Sequence, residues 1–538
     1  MALPAFPIHD IVDRAAEKWG EKSAIEFRGR TISYAVLRDQ IAAAAERFAE
    51  RGVKSGDRVA LLLPNTPWHP IAFFGALKAG AVVVHLSPLD APRVLRHKIA
   101  DSGASLLVTT NFDGLATLAA GLVADGTVGG MLVGDDALWS DSVDTGALPQ
   151  GSGIQPFDLR SAPRAAASAH IPDLDDLALL QYTGGTTGMP KAAQLTHRNL
   201  SSAVSSYDLW YTGNGLSRPG EDRVLLFLPL FHIYGLTTVL LRGLRNGHTI
   251  LLRSRFDPLA ALDDIEAGAT SLPGVPTMWI ALAQTPGFET RDLSSLRLAA
   301  SGGAPMPVEV ARRVAAKTGL EVLGGWGMSE TAPAGTNRPA GYPDKAASIG
   351  IPLPGVDLRI VALDDPCRAL PTGKTGELAV RGPNVTTGYH NRPDENAACF
   401  ADGWFLTGDI GHMDQDGFFF IVDRKKDMII SGGFNVYPQM IEQAIYEHAD
   451  VEEVLVIGIP DAYRGESAKA FVKLRAGAAP LTLDGLRAFL EGRVGRHEMP
   501  VALEIRAALP RTPVGKLSKF ELKQDERARS AAVASQGA

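Results

Sequence analysis

"QYTGGTTGMPKAAQLTH", residues 181–197, decides how this chain is read. The preceding "LALLQY" has the continuous apolar character of a buried strand. The following "AAQLTHRNLSSAV" reads as a short strand passing into a helix, with Thr196 as its N-cap. The loop between them therefore hangs from rigid elements. Gly184, Gly185 and Gly188 let backbone N–H groups face a ligand without Cβ interference, while Thr183, Thr186 and Thr187 add hydroxyls. Lys191 sets a positive charge at the rim, so the surface suits an anion. It is not a P-loop, which requires G-x-x-x-x-G-K-[ST]. Met189 and Pro190 separate Gly188 from Lys191 here, and Ala192 follows. A flexible linker of the same composition would seldom sit between two apolar strands.

Outward from this loop, helical and strand patterns alternate. "TISYAVLRDQIAAAAERFAERG" leads to "DRVALLLP", and "HPIAFFGALKAG" to "AVVVHLSP". That alternation implies an α/β fold of parallel sheets covered on both faces. After about residue 350 the segments shorten and gain glycine and turns, as in "TGKTGELAVRGP". We expect a large N-terminal domain over residues 1–425 made of layered α/β sheets, with a β-rich subdomain over about 351–422. A small, mobile α+β C-terminal domain over residues 426–538 should follow. The small, polar residues of the last fifteen positions read as a frayed end. The apolar run "VLLFLPLFHIYGLTTVLL", residues 224–241, is long enough to be weighed as a membrane span. Pro229, His232 and Gly235 interrupt it, favouring a buried strand, loop and helix.

Composition narrows the function classes. Across 538 residues, 45% hydrophobic and 21% charged content describes a globular protein, and its length calls for several folding units. A formal net charge of -7 disfavours a partner bound through nucleic-acid phosphates. Cys367 and Cys399 are too few for a disulfide scaffold and suit a reducing cytoplasm. The N-terminal "MALPAFPIHDIVDRAAEKWGEK" lacks the basic leader of a signal peptide.

Further motifs follow the loop in order: "PLFHIYG" (229–235), "GGWGMSET" (324–331), "TGELAVRGPNVTTGYHNRP" (375–393), "GWFLTGDIG" (403–411), "DRKKDMIISGGFNVYP" (423–438) and "PRTPVGKLSK" (510–519). Together with "YTGGTTGMPK" this set resembles the acyl-adenylate-forming superfamily, in its acyl-CoA synthetase branch. The loop departs from the commonest family form at Gly184, where serine is usual, and at Ala192, where glycine is usual. The "QYTGGTTG" version leans toward bacterial fatty acyl-CoA ligases.

The resemblance implies that a carboxylate attacks the α-phosphorus of ATP, pyrophosphate leaves, and the thiol of CoA then displaces AMP. Catalysis would consist of neutralising and aligning two anions, with no protein nucleophile. By the same resemblance Thr183, Gly184, Gly185, Thr186, Thr187, Gly188 and Lys191 would grip the β- and γ-phosphates. Glu330 would reach Mg²⁺ and Thr331 the α-phosphate. Taken alone, Glu330 would read as an exposed loop acid. Trp326, Gly327 and Met328 would flank adenine, with Gly303, Ala304 and Pro305. Asp409 and Arg424 would take the ribose hydroxyls. Lys516 would bridge the acyl carboxylate and the α-phosphate. His232, Tyr234, Gly235, Gly302, Gly324 and Gly325 would line the acyl pocket. Gly432, Gly433 and Phe434 would line the CoA tunnel, and Lys426 would be the hinge. A histidine in so apolar a run as that around His232 also reads as a satisfied core residue.

Three functions remain in competition on sequence. The first is an ATP- and Mg²⁺-dependent acyl-CoA ligase acting on a medium- or long-chain fatty acid. The second covers an aryl- or dicarboxylate-CoA ligase, or an enzyme loading a carrier-protein thiol. The third is a noncatalytic binding homologue, disfavoured because Lys191, Glu330, Asp409, Arg424 and Lys516 are all present. The expected location is cytoplasmic, with no transmembrane span; peripheral membrane contact and a homodimer are left open.

Overall fold

The computed structural model describes residues 3–140, 145–159, 172–183, 189–304, 306–432, 434–461, 463–511 and 517–536. They fall into two compact units. One takes the described residues up to Asp357 together with Val380–Phe405, and the other takes Leu358–Ala379 and those from Leu406 onward.

The first unit is built on two sheets. In one, Ile154–Pro156, Gly130–Gly134, Leu106–Thr110, Arg58–Leu62, Val82–Leu86, Leu177–Thr183 and Lys191–Thr196 lie side by side in that order. Its pairs are parallel except the last, where Leu177–Thr183 meets Lys191–Thr196 antiparallel. Val82–Leu86 and Leu106–Thr110 are buried along their whole length, as strands covered on both faces must be. In the other sheet, Val322–Trp326, Leu298–Ser301, Ser271–Gly274, Arg223–Leu226, Thr249–Leu252 and Ser23–Phe27 run parallel in that spatial order. Antiparallel strands finish it at either end.

The apolar run at 224–241 resolves into a buried strand, a loop and a π-wound helix, Tyr234–Leu241. Among the described residues, no helix is long and apolar enough to cross a membrane. Thr196 caps the helix His197–Gly213 as expected. It forms a reciprocal box in which its hydroxyl accepts from Asn199 N at 3.1 Å and the Asn199 side-chain Oδ1 accepts from Thr196 N at 2.9 Å.

In the second unit, Val451–Asp461 and Gly465–Leu474 form a long antiparallel hairpin. Its side chains alternate between two cores. Val454, Val456, Ala470 and Val472 pack with Ile441 and Ile445 from helix Pro438–Tyr446 and with Leu486 and Leu490 from helix Leu483–Leu490. Leu455, Ile457 and Phe471 pack with Leu509 and Leu522 instead.

Leu522 belongs to a helix, Lys519–Gln536, which continues into the last fifteen positions and so corrects the expectation of a frayed end there. Small-residue composition concealed an anchored face. Lys519 pairs with Glu442 at 2.9 Å, Lys523 with Asp427 at 2.7 Å and Glu526 with Lys469 at 2.7 Å. With Leu522 these positions recur at three- and four-residue steps, the spacing of one helical stripe.

Candidate functional site

In the first unit the sequence-predicted residues gather outside the carboxyl ends of parallel strands, where open α/β sheets bind ligands. The hairpin places Thr183 directly opposite Lys191, and the Thr183 hydroxyl donates to the Lys191 carbonyl at 3.4 Å. Gly184, Gly185, Thr186, Thr187 and Gly188 lie outside the described residues.

Lys191 is half-buried. Its ammonium pairs with Glu395 and stands 3.7 Å from the centre of the Tyr389 ring, a cation–π contact. The Tyr389 hydroxyl in turn donates to Glu330 Oε1 at 2.7 Å. Tyr389 thus touches both the lysine expected at the phosphates and the carboxylate expected at the metal. Burial, then the neighbouring Glu330 charge, raises its phenol above the ordinary tyrosine range.

Glu330 is only 5% exposed. It sits on the turn Ser329–Thr331, which follows the strand Val322–Trp326. The segment after Pro383 covers it: Thr386 N donates to the Glu330 carbonyl at 2.7 Å, and Asn384 Nδ2 donates to the Thr331 carbonyl at 2.7 Å. That segment is itself held by Asn199, whose amide donates to the Pro383 and Val385 carbonyls at 2.9 and 2.8 Å. The Thr331 hydroxyl is engaged locally, accepting from Met328 N at 3.1 Å and donating to Met328 O at 3.0 Å. Among the described residues, Glu330 has no ion-pair partner, and no three His, Cys, Asp or Glu side chains cluster as a metal site. One buried carboxylate with spare lone pairs suits a hard cation whose other ligands come from triphosphate and water.

Trp326 ends its strand partly exposed. Gly327 beside it cannot be replaced without rearrangement, since a Cβ there would lie 1.6 Å from the Pro333 carbonyl oxygen. Gly303 and Ala304 are exposed just beyond Leu298–Ser301, and Pro305 lies outside the described residues.

Of the expected acyl-pocket residues, Gly302 faces Tyr234, whose ring would be 3.1 Å from an added Cβ. Gly324 is more open, with only the Ser301 carbonyl within reach at 3.6 Å. Gly235 and Gly325 instead permit close backbone packing, their Cβ directions meeting Pro229 O at 2.5 Å and Thr336 O at 2.4 Å. His232 is half-buried, and its Nδ1 accepts from Tyr234 N at 3.3 Å.

In the second unit, Asp409 and Arg424 are register partners on Trp404–Met413 and Phe419–Arg424, joined by an ion pair of 2.7 Å. Asp409 is buried and Arg424 exposed. Beside them Glu377 accepts from Gly408 N at 3.0 Å and pairs with Lys425 at 2.7 Å. Lys426 is exposed, and its carbonyl accepts from Lys523 at 3.4 Å. Gly432 adopts φ +58°. Phe434 is 61% exposed against His497. Gly433 and Lys516 lie outside the described residues.

Sequence reasoning did not single out Tyr389 or Glu395. Tyr389 stood inside a quoted motif, and Glu395 two residues beyond it, without a pattern to mark a role.

Residues 12–390 match the family described as AMP-binding enzyme, and residues 440–516 its C-terminal domain. The chain is 37% identical to a long-chain-fatty-acid–CoA ligase of Bacillus subtilis, over 98% of this chain and 96% of the relative. It is also 37% identical to a feruloyl-CoA synthase of an Amycolatopsis species, over 95% of this chain and 97% of the relative. The crystal structure of ATP-bound MatB from Rhodopseudomonas palustris superposes with a TM-score of 0.85, at 31% identity over 96% of this chain and 98% of that one.

Proposed function

The chain belongs to the AMP-binding enzyme family as an AMP-forming acid–CoA ligase, and from that premise we propose that its acid is a medium- or long-chain fatty acid. The observation that carries this reading is the full-length identity to a long-chain ligase. A second reading, an aryl acid such as a hydroxycinnamate, draws on the equal identity to feruloyl-CoA synthase. The open face at Gly324 would admit either an alkyl chain or a ring.

The reaction we assign has two steps. A carboxylate oxygen bonds to the α-phosphorus as pyrophosphate leaves; the CoA sulfur then bonds to the acyl carbon as AMP leaves and the thiol proton is lost. Both steps bring anions together, so the protein's task is to neutralise and align. Thr183, the Gly184–Gly188 segment and Lys191 would hold the β- and γ-phosphates. In this reading Glu395 keeps Lys191 in place until triphosphate takes over that role. Glu330 would hold Mg²⁺, its orientation set by Tyr389, and the ion when bound would offset charge on the phosphates.

Trp326, Gly327 and Met328 would flank adenine, with Gly303, Ala304 and Pro305, while Thr331 would meet the α-phosphate and Asp409 and Arg424 the ribose. Lys516 would neutralise the attacking carboxylate and His232 would border it. Gly432, Gly433 and Phe434 would receive the pantetheine arm after a turn about Lys426, the boundary we propose between residues 1–425 and 426–538. We propose a cytoplasmic location, where ATP and CoA are available.

Pyrophosphate release with and without CoA tests the assignment. Palmitate or octanoate should support turnover that needs CoA; turnover indifferent to CoA would point to a different acceptor.

A further inference from the structure

Gln181, three residues before Gly184, is buried between two sheets. Its Nε2 donates to the Phe231 carbonyl at 3.0 Å, and its Oε1 lies 3.0 Å from His85 Nδ1. A carbonyl only accepts, so the amide nitrogen must face Phe231 and the amide oxygen must face His85. That orientation requires His85 to carry its proton on Nδ1. His85 is 2% exposed, and burial pushes it down to about 4 despite this hydrogen bond. The ring is therefore neutral near pH 7, and the amide orientation does not change with physiological pH.

Asn65 acts on the same loop from the turn after Arg58–Leu62. Its Nδ2 donates to the Leu228 carbonyl at 3.0 Å and to the Arg253 carbonyl at 3.1 Å, while its Oδ1 accepts from Leu230 N at 2.9 Å. Three backbone groups between Leu228 and Phe231 are thus satisfied by two side-chain amides of the neighbouring sheet. No strand ladder holds this stretch, which leads directly into His232.

We infer that Gln181, assisted by Asn65, is a positioning residue for the carboxylate end of the acyl site, fixing the peptide that carries His232. The inference rests on the assignment of His232 to that site. Small displacements of an aligning group cost much more in rate than in stability, so losing the amide should be read in the acid, not in the nucleotide.

The test is a double-mutant cycle on Gln181→Leu, His232→Ala and their combination, measuring pyrophosphate release with palmitate and MgATP. Gln181→Leu should lower kcat/KM for palmitate about tenfold, the worth of one buried hydrogen bond. It should leave KM for ATP within about twofold, and its effect should largely vanish in the His232→Ala background. Gln181→Met keeps the length of the side chain but offers no donor to Phe231. It should reproduce the loss, and it replaces the leucine variant if that does not fold. Equal changes in both KM values, or losses that multiply fully in the double variant, would overturn the inference and leave His232 in its role. A His232→Ala enzyme with unchanged palmitate kinetics would instead remove His232 from the site, and the inference with it.

Discussion

Tyr389 joins the two groups we assign to metal and phosphate, because its hydroxyl donates to Glu330 while its ring face lies against the Lys191 ammonium. Tyr389→Phe removes only the hydroxyl. A hydrogen bond to a charged group contributes about 1.5–3 kcal/mol, so we expect KM for MgATP to rise roughly tenfold or more. Steady-state kinetics at varied MgATP checks this, and an unchanged KM would detach Tyr389 from the triphosphate site.

The same scale carries a pH prediction at His85. Its folded value of about 4 lies below the unfolded value near 6.5, so the unfolded chain binds more protons between them. Stability contributed by keeping this ring neutral is present above about pH 6.5 and is lost as pH falls toward 4, about 2 kcal/mol of it by pH 5. Denaturant titrations at pH 7 and pH 5 should show a smaller difference for His85→Gln than for the parent. Equal differences would contradict the buried neutral ring. His69, 5.1 Å away ring to ring and also lowered by burial, should add to the parent's loss.

At the scale of elements, much of the site was legible because strand, loop and strand have local signatures. The apolar run before Gly184 and the Thr196 cap need only neighbours in sequence. What was not legible depends on distant segments. Glu330 alone resembles an exposed loop acid, yet Thr386 and Asn384 cover it from more than fifty residues away. The terminal helix was missed for the same reason: its stripe of Lys519, Leu522, Lys523 and Glu526 has meaning only against the hairpin it caps. Leu522→Ala should therefore cost about 2–4 kcal/mol, measured by denaturant unfolding, and no loss would contradict the helix being anchored at Leu522. Gly324 offers a second element-level prediction. A valine there should reduce kcat/KM for palmitate more than for octanoate if the open face receives the chain. An equal reduction would place the chain elsewhere.

For the whole molecule, the motifs are divided between two compact units, with Lys191, Glu330 and Trp326 in one and Asp409, Arg424 and Lys426 in the other. That division falls at Asp357 and Phe405 and not at Lys426; the hinge we propose at Lys426 rests instead on a two-step reaction that needs different groups at each step. Lys426→Pro should impair thioester formation at least tenfold more than adenylation in single-turnover assays; equal loss in both would argue against a hinge there. The most direct measurement is a pyrophosphate-release screen with acetate, octanoate, palmitate, benzoate, ferulate and pimelate, each with CoA. A fatty acyl-CoA ligase should give palmitate or octanoate the highest kcat/KM by about tenfold or more, with AMP and acyl-CoA formed in equal amounts. Preference for benzoate or ferulate, or no release with any acid, would contradict it.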